Sequence, residues 1–414
     1  MENYSPNFDL KKHNKKLIEE SITKKQTTLE SVPRIIQIEN TSRCAFECIA
    51  CPHFYQKSRV GIDVFPQVVE RLNEILPGAE QLHIVGGGEP FGDRGLIDSI
   101  ESYARHGVRI STITSLMQLS NRMLDLIKSN FCSIRISVDG ATADTYEGIR
   151  KGHSFSRLLK NIKKVRATGN DLEMIMGVNL CRQNLRELPA LIRLGKKLGF
   201  DRIVVSKMIP RPLDMPHTVR DDIMIYPTAT SFFIREARKL AEKLQINVEL
   251  PNETFDTSQT CLRDDLKEVD REPRFPSQEY QDKLALEWWE TFKSKSDILS
   301  QPRPLGLIPI DPPDQPIPST GVCERLYEQT FINANGDVGT CSLMPTRSLG
   351  NLLDHSSFFD IWNGESMVAL RESYWKGIVP HHCYGCPALM GGFLNRVKLD
   401  HPVSKAEFKT NRFD

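Results

Sequence analysis

Ten cysteines punctuate a chain of 414 residues, and the spacing of seven of them suggests metal chemistry. Cys44, Cys48 and Cys51 form a C-x3-C-x2-C segment just after a short apolar run. Three thiolates can hold three irons of a cubane and leave the fourth open, and an open iron can bind and activate a substrate. A structural zinc site is the competing reading. Zinc takes four ligands and this segment supplies three thiols, so His53 would have to be the fourth. A second group, Cys323, Cys341, Cys383 and Cys386, supplies four thiols, enough to close either a tetrahedral zinc site or a fully ligated 4Fe–4S cluster. Cys132 opens an apolar run and reads as core. Cys181 lies just past the end of another such run. It reads either as a small buried hydrophobe or as a catalytic thiol at a strand end. Cys261 carries no argument.

The elements that must position these residues follow from periodicity. From Arg34 to about Leu250, short β-branched or apolar runs alternate with amphipathic stretches. The expected strands are Ile35–Glu39, Gln81–Val85, Val108–Thr114, Cys132–Val138, Glu173–Leu180 and Arg202–Ser206. The expected helices include Gln67–Leu76, Asn121–Ser129, Ser156–Thr168 and Leu185–Leu198, the last closed by Gly199. Six βα repeats predict an α/β fold with a parallel sheet and right-handed crossovers, a partial (β/α)6 barrel of the TIM type, with its chemistry at the C-terminal strand ends. Cys44, Cys48 and Cys51 follow the first strand. Gly86-Gly87-Gly88-Glu89-Pro90 follows the second, where glycines allow a ligand close to the backbone and Glu89 can accept from an ammonium. Ile136-Ser137-Val138-Asp139-Gly140 ends the fourth, and Lys207 and Arg211 follow the sixth. Either of these two cations could assist deprotonation of a substrate hydroxyl, or simply be solvated.

Outside the barrel, residues 1–32 are lysine-rich and read as a solvated polar helix or arm, too short for a domain or for an in-chain leader-peptide-binding unit. Residues 251–320 hold ten of the 25 prolines and break the pattern. So long an irregular connection tends to be functional or disordered. Its one amphipathic candidate, Glu279–Lys295 with Trp288, Trp289 and Phe292, reads as an anchor onto the barrel or as a lid. A small cysteine-bearing region spans 321–395, with a hairpin turning at Asn335-Gly336, and 396–414 is a polar tail. The barrel itself is placed at 33–250. Hydrophobic residues make up 39% and charged residues 26%, with a formal net charge of +1. That balance gives no support to a nucleic-acid-coating or polybasic membrane role. No apolar stretch approaches the ~20 residues needed to span a bilayer, and Met1 to Glu30 has no secretory h-region. The expected location is the cytoplasm, where cysteines serve metals and redox cofactors more than disulfides.

Over residues 33 to about 210, the C-x3-C-x2-C segment, the GGEP-type turn and the S-x-D-G strand end together resemble the radical SAM superfamily. The resemblance implies that Cys44, Cys48 and Cys51 hold a 4Fe–4S cluster. Its open iron would be chelated by the amino and carboxylate groups of S-adenosylmethionine (SAM). It further implies that Gly87, Gly88 and Glu89 contact the methionyl amine, and that Ser137 and Arg150 contact the methionyl carboxylate, a bidentate task that suits a guanidinium. A solvated helix residue is the plainer reading of Arg150. One electron from the reduced cluster would cleave SAM to methionine and a 5′-deoxyadenosyl radical, which abstracts hydrogen from substrate. The distal cysteines, with Gly336 to Cys341 and Leu349-Gly350-Asn351 through Ile361-Trp362-Asn363, resemble the auxiliary-cluster regions called SPASM and twitch. No cysteine follows Cys386, which favours the one-cluster twitch form.

The expected function is a radical SAM oxidoreductase that dehydrogenates a sugar, cyclitol or similar small molecule, with the auxiliary cluster accepting the second electron. The first alternative is epimerisation or crosslinking of a ribosomally made peptide. The second is a non-catalytic zinc-binding scaffold. The enzyme readings require an external one-electron reductant such as flavodoxin or ferredoxin, and no nucleic acid or membrane.

Overall fold

A computed structural model describes residues 7–51, 61–93, 95–169, 171–210, 215–251, 267, 269, 308–309, 317–318, 323–340, 347–376 and 378–379. Six strands follow one another across the sheet: β1 (Ile35–Ile38), β2 (Gln81–Ile84), β3 (Arg109–Thr114), β4 (Phe131–Ser137), β5 (Glu173–Leu180) and β6 (Arg202–Lys207). All five pairings between them are parallel. A short strand β7 (Asn247–Glu249) extends the β6 edge. The sheet is thus the open, sequentially ordered sheet of a partial barrel.

Side chains alternate across each strand. One face carries Ile36, Ile38, Leu82, Ile84, Ile110, Ile134, Ile136, Met174, Met176 and Ile203, all fully buried. Helices cover this face. Phe155–Arg166 buries Leu158, Ile162 and Val165, and Leu188–Lys197 buries Leu188, Leu191 and Ile192, each set at helical spacing. Ser120, Thr142 and Ser154 cap three of the helices by accepting from backbone N–H groups three residues on. Gly199 ends Leu188–Lys197 at φ 74°, with the Gly199 and Phe200 N–H groups donating back to Lys196 and Gly195, the Schellman arrangement. The other face of the sheet carries Gln37, His83, Arg135, Ser137 and Val204, none fully buried. That is the face on which a ligand can lie.

Two findings depart from the sequence expectations. The lysine-rich N-terminal segment, expected as a solvated helix or arm, is a helix that also buries one face. Phe8–Thr23 is a helix with Lys11, Asn14, Ile18 and Ser21 buried. The Lys11 Nζ donates to the Gly107 carbonyl at 2.6 Å, and Asn14 bonds Val32 and Gly78. Local charge counting misses this, because the partners are carbonyls of remote loops. The cysteine-bearing region is also continuous with the barrel sheet. Its first strand, β8 (Gln329–Ile332), pairs parallel with β1, and β9 (Asp337–Gly339) and β10 (Gly350–Asn351) follow antiparallel. The hairpin turns where expected, with Gly336 at φ 94°. From the 251–320 insert, Ile308–Pro309 and Ile317–Pro318 pair with Arg347–Ser348 and Ile378–Val379. The expected helix Glu279–Lys295 lies outside the described residues.

The segment 24–34 ties the two regions together. Trp362 Nε1 donates to Ser31 O at 3.0 Å, and Asn363 exchanges two hydrogen bonds with Leu29. Arg371 is fully buried and donates to the carbonyls of Leu326, Thr27 and Trp362 at 2.8–3.0 Å. Its guanidinium lies 4.6 Å from the Trp362 ring and 5.5 Å from Tyr327. Burial lowers its pKa to about 9, so it keeps its charge at neutral pH, held by carbonyl dipoles and ring faces. Arg371→Ala leaves a cavity and three buried carbonyls without that donor. It is expected to destabilise the fold by about 3 kcal/mol, which urea unfolding measures, and Arg371→Lys, lacking the planar fork, is expected to recover under half of it.

Candidate metal and cofactor site

The three thiols sit on the loop after β1, beyond the concave sheet face. Glu47–Cys48 forms a two-residue antiparallel ladder with Arg150–Lys151, so Cys48 lies directly across from Arg150. Ile49 N also donates to Ile149 O at 3.0 Å. The loop is thereby fastened to the end of the helix Ala143–Ile149. All three cysteines are half-buried. Burial pushes the Cys44 and Cys48 thiols up, Cys48 to about 12, while the Arg150 charge pulls the other way. Desolvated thiols of this kind ionise when a cation supplies the compensating charge.

The glycine turn is pressed against the same loop. A Cβ on Gly88 would lie 2.3 Å from Thr41 O and 2.6 Å from Arg43 O, and one on Gly86 would lie 2.4 Å from Glu39 Cγ. Glycine is required at both positions by close packing inside the chain. Gly87 N donates to Glu39 Oε1 at 2.7 Å, and Glu89 N to Arg43 O at 2.8 Å. Glu89 is 6% exposed. Its carboxylate accepts from the Thr114 hydroxyl and from Ser115 N–H. A carboxylate has about four acceptor positions, so two remain for a ligand ammonium.

Arg150 is not a solvated helix residue. It ends the helix Ala143–Ile149, and its Nε donates to Asp139 Oδ2 at 2.7 Å, with side chains 17% and 4% exposed. Burial opposes its charge, but Asp139 and neighbouring Cys48 outweigh that and hold its pKa up. Asp139 also accepts from Asn179 N at 2.6 Å, and its backbone carbonyl accepts from Asn184 Nδ2. Asp139, Glu39 and Asn184 were given no role from the sequence. For Glu39 the only signal was a carboxylate ending an apolar strand; for Asp139 it was the S-x-D-G motif itself. Ser137, on the concave face of β4, stands two residues before Asp139.

Cys181 is 1% exposed and packs with Ile149 and Met208 beside Ile49 and Ala50 of the cysteine loop. Its thiol donates to Gln183 Oε1 at 3.0 Å, and burial raises it to about 12. Lys207 is exposed at the end of β6. Cys132 is exposed rather than core, because it falls on the outward phase between Phe131 and Ile134 near a register shift with β3. Cys323 is half-buried. Cys341, Cys383, Cys386, Cys261, His53 and Arg211 lie outside the described residues.

His153 adds a pH dependence. It is 7% exposed, with its ring 3.8 Å from Phe46 in the cysteine loop and its Nδ1 3.0 Å from Arg150 O. Burial, with help from Arg150, lowers its pKa to about 4. The folded pKa lies below the unfolded one, so the chain is stabilised by a neutral imidazole above about pH 6.5, and this contribution is lost as pH falls toward 4. His153→Phe is expected to flatten that part of the stability–pH curve by about 2 kcal/mol, allowing for partial screening. Denaturation at pH 7.5 and pH 4.5 measures it.

Comparison with known proteins gives this geometry its class. Residues 38–195 match the family model described as the radical SAM superfamily, and residues 323–387 match SPASM, an iron–sulfur cluster-binding domain. The chain therefore carries a radical SAM domain followed by a SPASM domain. It is 29% identical over 197 residues to a PqqA peptide cyclase of Bradyrhizobium diazoefficiens, covering 45% of this chain and 50% of that protein. It is 24% identical over 221 residues to the mycofactocin maturase MftC of Mycolicibacterium smegmatis, covering 49% and 54%. The chain thus spans about half the length of the curated relatives it matches. Streptococcus suis SuiB, solved with its precursor peptide SuiA, shares the fold at TM-score 0.56 and 12% identity, covering 88% of this chain and 73% of that one.

The radical SAM domain implies a 4Fe–4S cluster and SAM, and the SPASM domain implies auxiliary iron–sulfur clusters. The residues present fit the first group. Among the described residues no three His, Cys, Asp or Glu side chains converge on one metal ion. Cys44, Cys48 and Cys51 sit half-buried on one loop beside the Arg150 charge, and a cubane binds each thiolate through a separate iron. Among the described residues no helix is long and apolar enough to cross a membrane.

Proposed function

We propose that this chain is a peptide-modifying radical SAM enzyme. It abstracts a hydrogen atom from a residue of a ribosomally made peptide and joins the resulting radical to a second atom of that peptide. The observation that carries the reading is the match to a PqqA peptide cyclase over 197 residues, and the fold-level similarity to SuiB, solved with its precursor peptide, supports it. It replaces the oxidation of a sugar or cyclitol and the zinc scaffold. When bound, the first cluster with SAM supplies the hydrogen-abstracting radical, and the auxiliary group accepts the electron that bond formation releases.

The chain's residues divide the remaining work. Cys44, Cys48 and Cys51 hold the cluster. Glu89 takes the methionyl ammonium with its free lone pairs, beside Gly87 and Gly88. Arg150, oriented by Asp139, and Ser137 take the methionyl carboxylate. Cys323, Cys341, Cys383 and Cys386 hold auxiliary iron, and flavodoxin or ferredoxin supplies the electron. Residues 33–250 act as the catalytic unit and 321–395 as the auxiliary unit. Lys207, exposed at the end of β6, is assigned to assist loss of a substrate proton through its positive charge. Cys181 favours crosslinking over epimerisation: a thiol that returns a hydrogen atom must touch the substrate, and this one is shut within a small apolar cluster.

The test is anaerobic incubation of reconstituted protein with SAM, reductant and, in parallel, candidate precursor peptides and sugars. Deoxyadenosine formed together with a peptide lighter by two hydrogens supports the proposal. An oxidised sugar with unchanged peptides overturns it. A peptide of unchanged bonding that carries solvent deuterium establishes epimerisation instead.

A further inference from the structure

Among the described residues the concave sheet face holds a cation, Arg135, that the cofactor does not account for. Arg135 lies on β4, two residues before Ser137 and on the same face. It is half-buried. The carboxylates nearby have other partners. Glu173 and Glu249 both pair with Arg202, at 3.2 and 2.5 Å, and Asp139 pairs with Arg150. Among the described residues Arg135 has a single polar contact, Nη2 to Ser206 Oγ at 3.5 Å, long for a hydrogen bond. Burial and the neighbouring Arg202 work against its charge while Glu249 and Asp139 support it, and the net effect is a lowered pKa. A half-buried guanidinium with no carboxylate in hydrogen-bond reach among the described residues keeps its donors open to an arriving anion.

The surroundings make room for such a group. Its partner across the β4–β5 ladder is Ile175, and the next facing position on β5 is Gly177. A Cβ on Gly177 would lie 2.7 Å from Arg135 Nε, so glycine there lets the long side chain lie flat across the sheet. On the other side, Arg135 registers with Ile113 of β3, which is 44% exposed in a strand otherwise largely buried. The result is a guanidinium fork beside an uncovered aliphatic surface, about 7 Å down the strand from Ser137.

We propose that Arg135 is the anchor for a substrate carboxylate: an acidic side chain or C-terminal carboxylate of the peptide, whose aliphatic part rests on Ile113. The identity of that carboxylate as a peptide's rests on the function proposed above; the anchor itself does not. A carboxylate held at Arg135 stands one strand row below the position proposed for the SAM carboxylate. Neighbouring atoms of the substrate are then within reach of the abstracting radical, and the fixed pairing selects which residue of the peptide is presented.

The experiment uses reconstituted holoenzyme with SAM bound and measures affinity for four probes by calorimetry. These are Ac-Ala-Glu-Ala-Ala-NH2, its Gln counterpart, Ac-Ala-Ala-Ala-Ala-OH, and glutarate. The wild type is expected to bind one of the carboxylate peptides about 10- to 100-fold more tightly than the Gln peptide. That preference is expected to vanish in Arg135→Gln and to return in part in Arg135→Lys, with SAM affinity unchanged in both. Which carboxylate peptide wins assigns the source. Glutarate bound as tightly as either peptide supports the anchor and overturns the peptide reading. Equal binding of all four probes, a preference that survives Arg135→Gln, or loss of SAM binding in that variant overturns the anchor.

Discussion

Cys48→Ala is expected to remove about four irons per chain and to bring deoxyadenosine formation below detection, while iron on the distal cysteines remains. Among the described residues this loop has no fourth thiol to substitute. Cys132 is exposed at the far end of β4, and Cys181 is enclosed with its hydrogen bonded to Gln183. Two thiolates leave two irons of a cubane without protein ligands, and solvent then competes for them. The loss is all-or-none in radical generation, because auxiliary iron held by four thiols offers no open iron on which SAM can bind. Iron content per chain and anaerobic deoxyadenosine assays read the result together. Cys132→Ala, with iron and activity unchanged, is the matched control. A Cys48→Ala protein that keeps its full iron and still forms deoxyadenosine would falsify the ligand assignment.

Much of the barrel could be read from the chain because its signals are local. Each expected strand begins and ends within about one residue of the observed one, since period-2 burial and the β-branched content of runs such as Ile134–Ile136 leave little choice of phase. Caps at Ser120, Thr142 and Ser154 and the left-handed Gly199 mark helix ends through groups adjacent in sequence. What escaped was carried by contacts remote in sequence. Asn14 is satisfied by Val32 and Gly78, and Arg371 by Thr27, Leu326 and Trp362. The pairing of β8 with β1 is a backbone ladder at a sheet edge, which leaves no side-chain signature. The site divides in the same way. Three thiols within eight residues announce themselves, and so does a glycine turn, although Gly86 and Gly88 turned out to be needed by Glu39 and the Thr41–Arg43 backbone. Glu39, which receives Gly87 N–H from 48 residues away, and Asn179, which donates to Asp139 from 40 away, did not.

Asp139→Ala is expected to cost about 3–5 kcal/mol and to lower cluster occupancy, because it strands a buried guanidinium whose backbone is laddered to Cys48. The substitution removes the acceptor of Arg150 Nε and of Asn179 N–H in one step. Arg150 must then find water or turn outward, and the two-residue ladder that holds Cys48 turns with it. Asp139→Asn separates charge from shape: its carbonyl can still accept one N–H, so a loss of roughly half is expected. The double variant Asp139→Ala with Arg150→Met distinguishes a structural pair from a ligand-binding one. If the pair serves only to hold the loop, removing both charges restores much of the stability lost in Asp139→Ala, as for other buried pairs replaced by apolar groups, and SAM affinity recovers in step. If Arg150 also grips the methionyl carboxylate, stability recovers but SAM affinity does not, because the apolar replacement repairs the desolvation and leaves no donor for the ligand. Thermal unfolding and SAM titration of the four proteins in the cycle distinguish the two, and the proposed function requires the second.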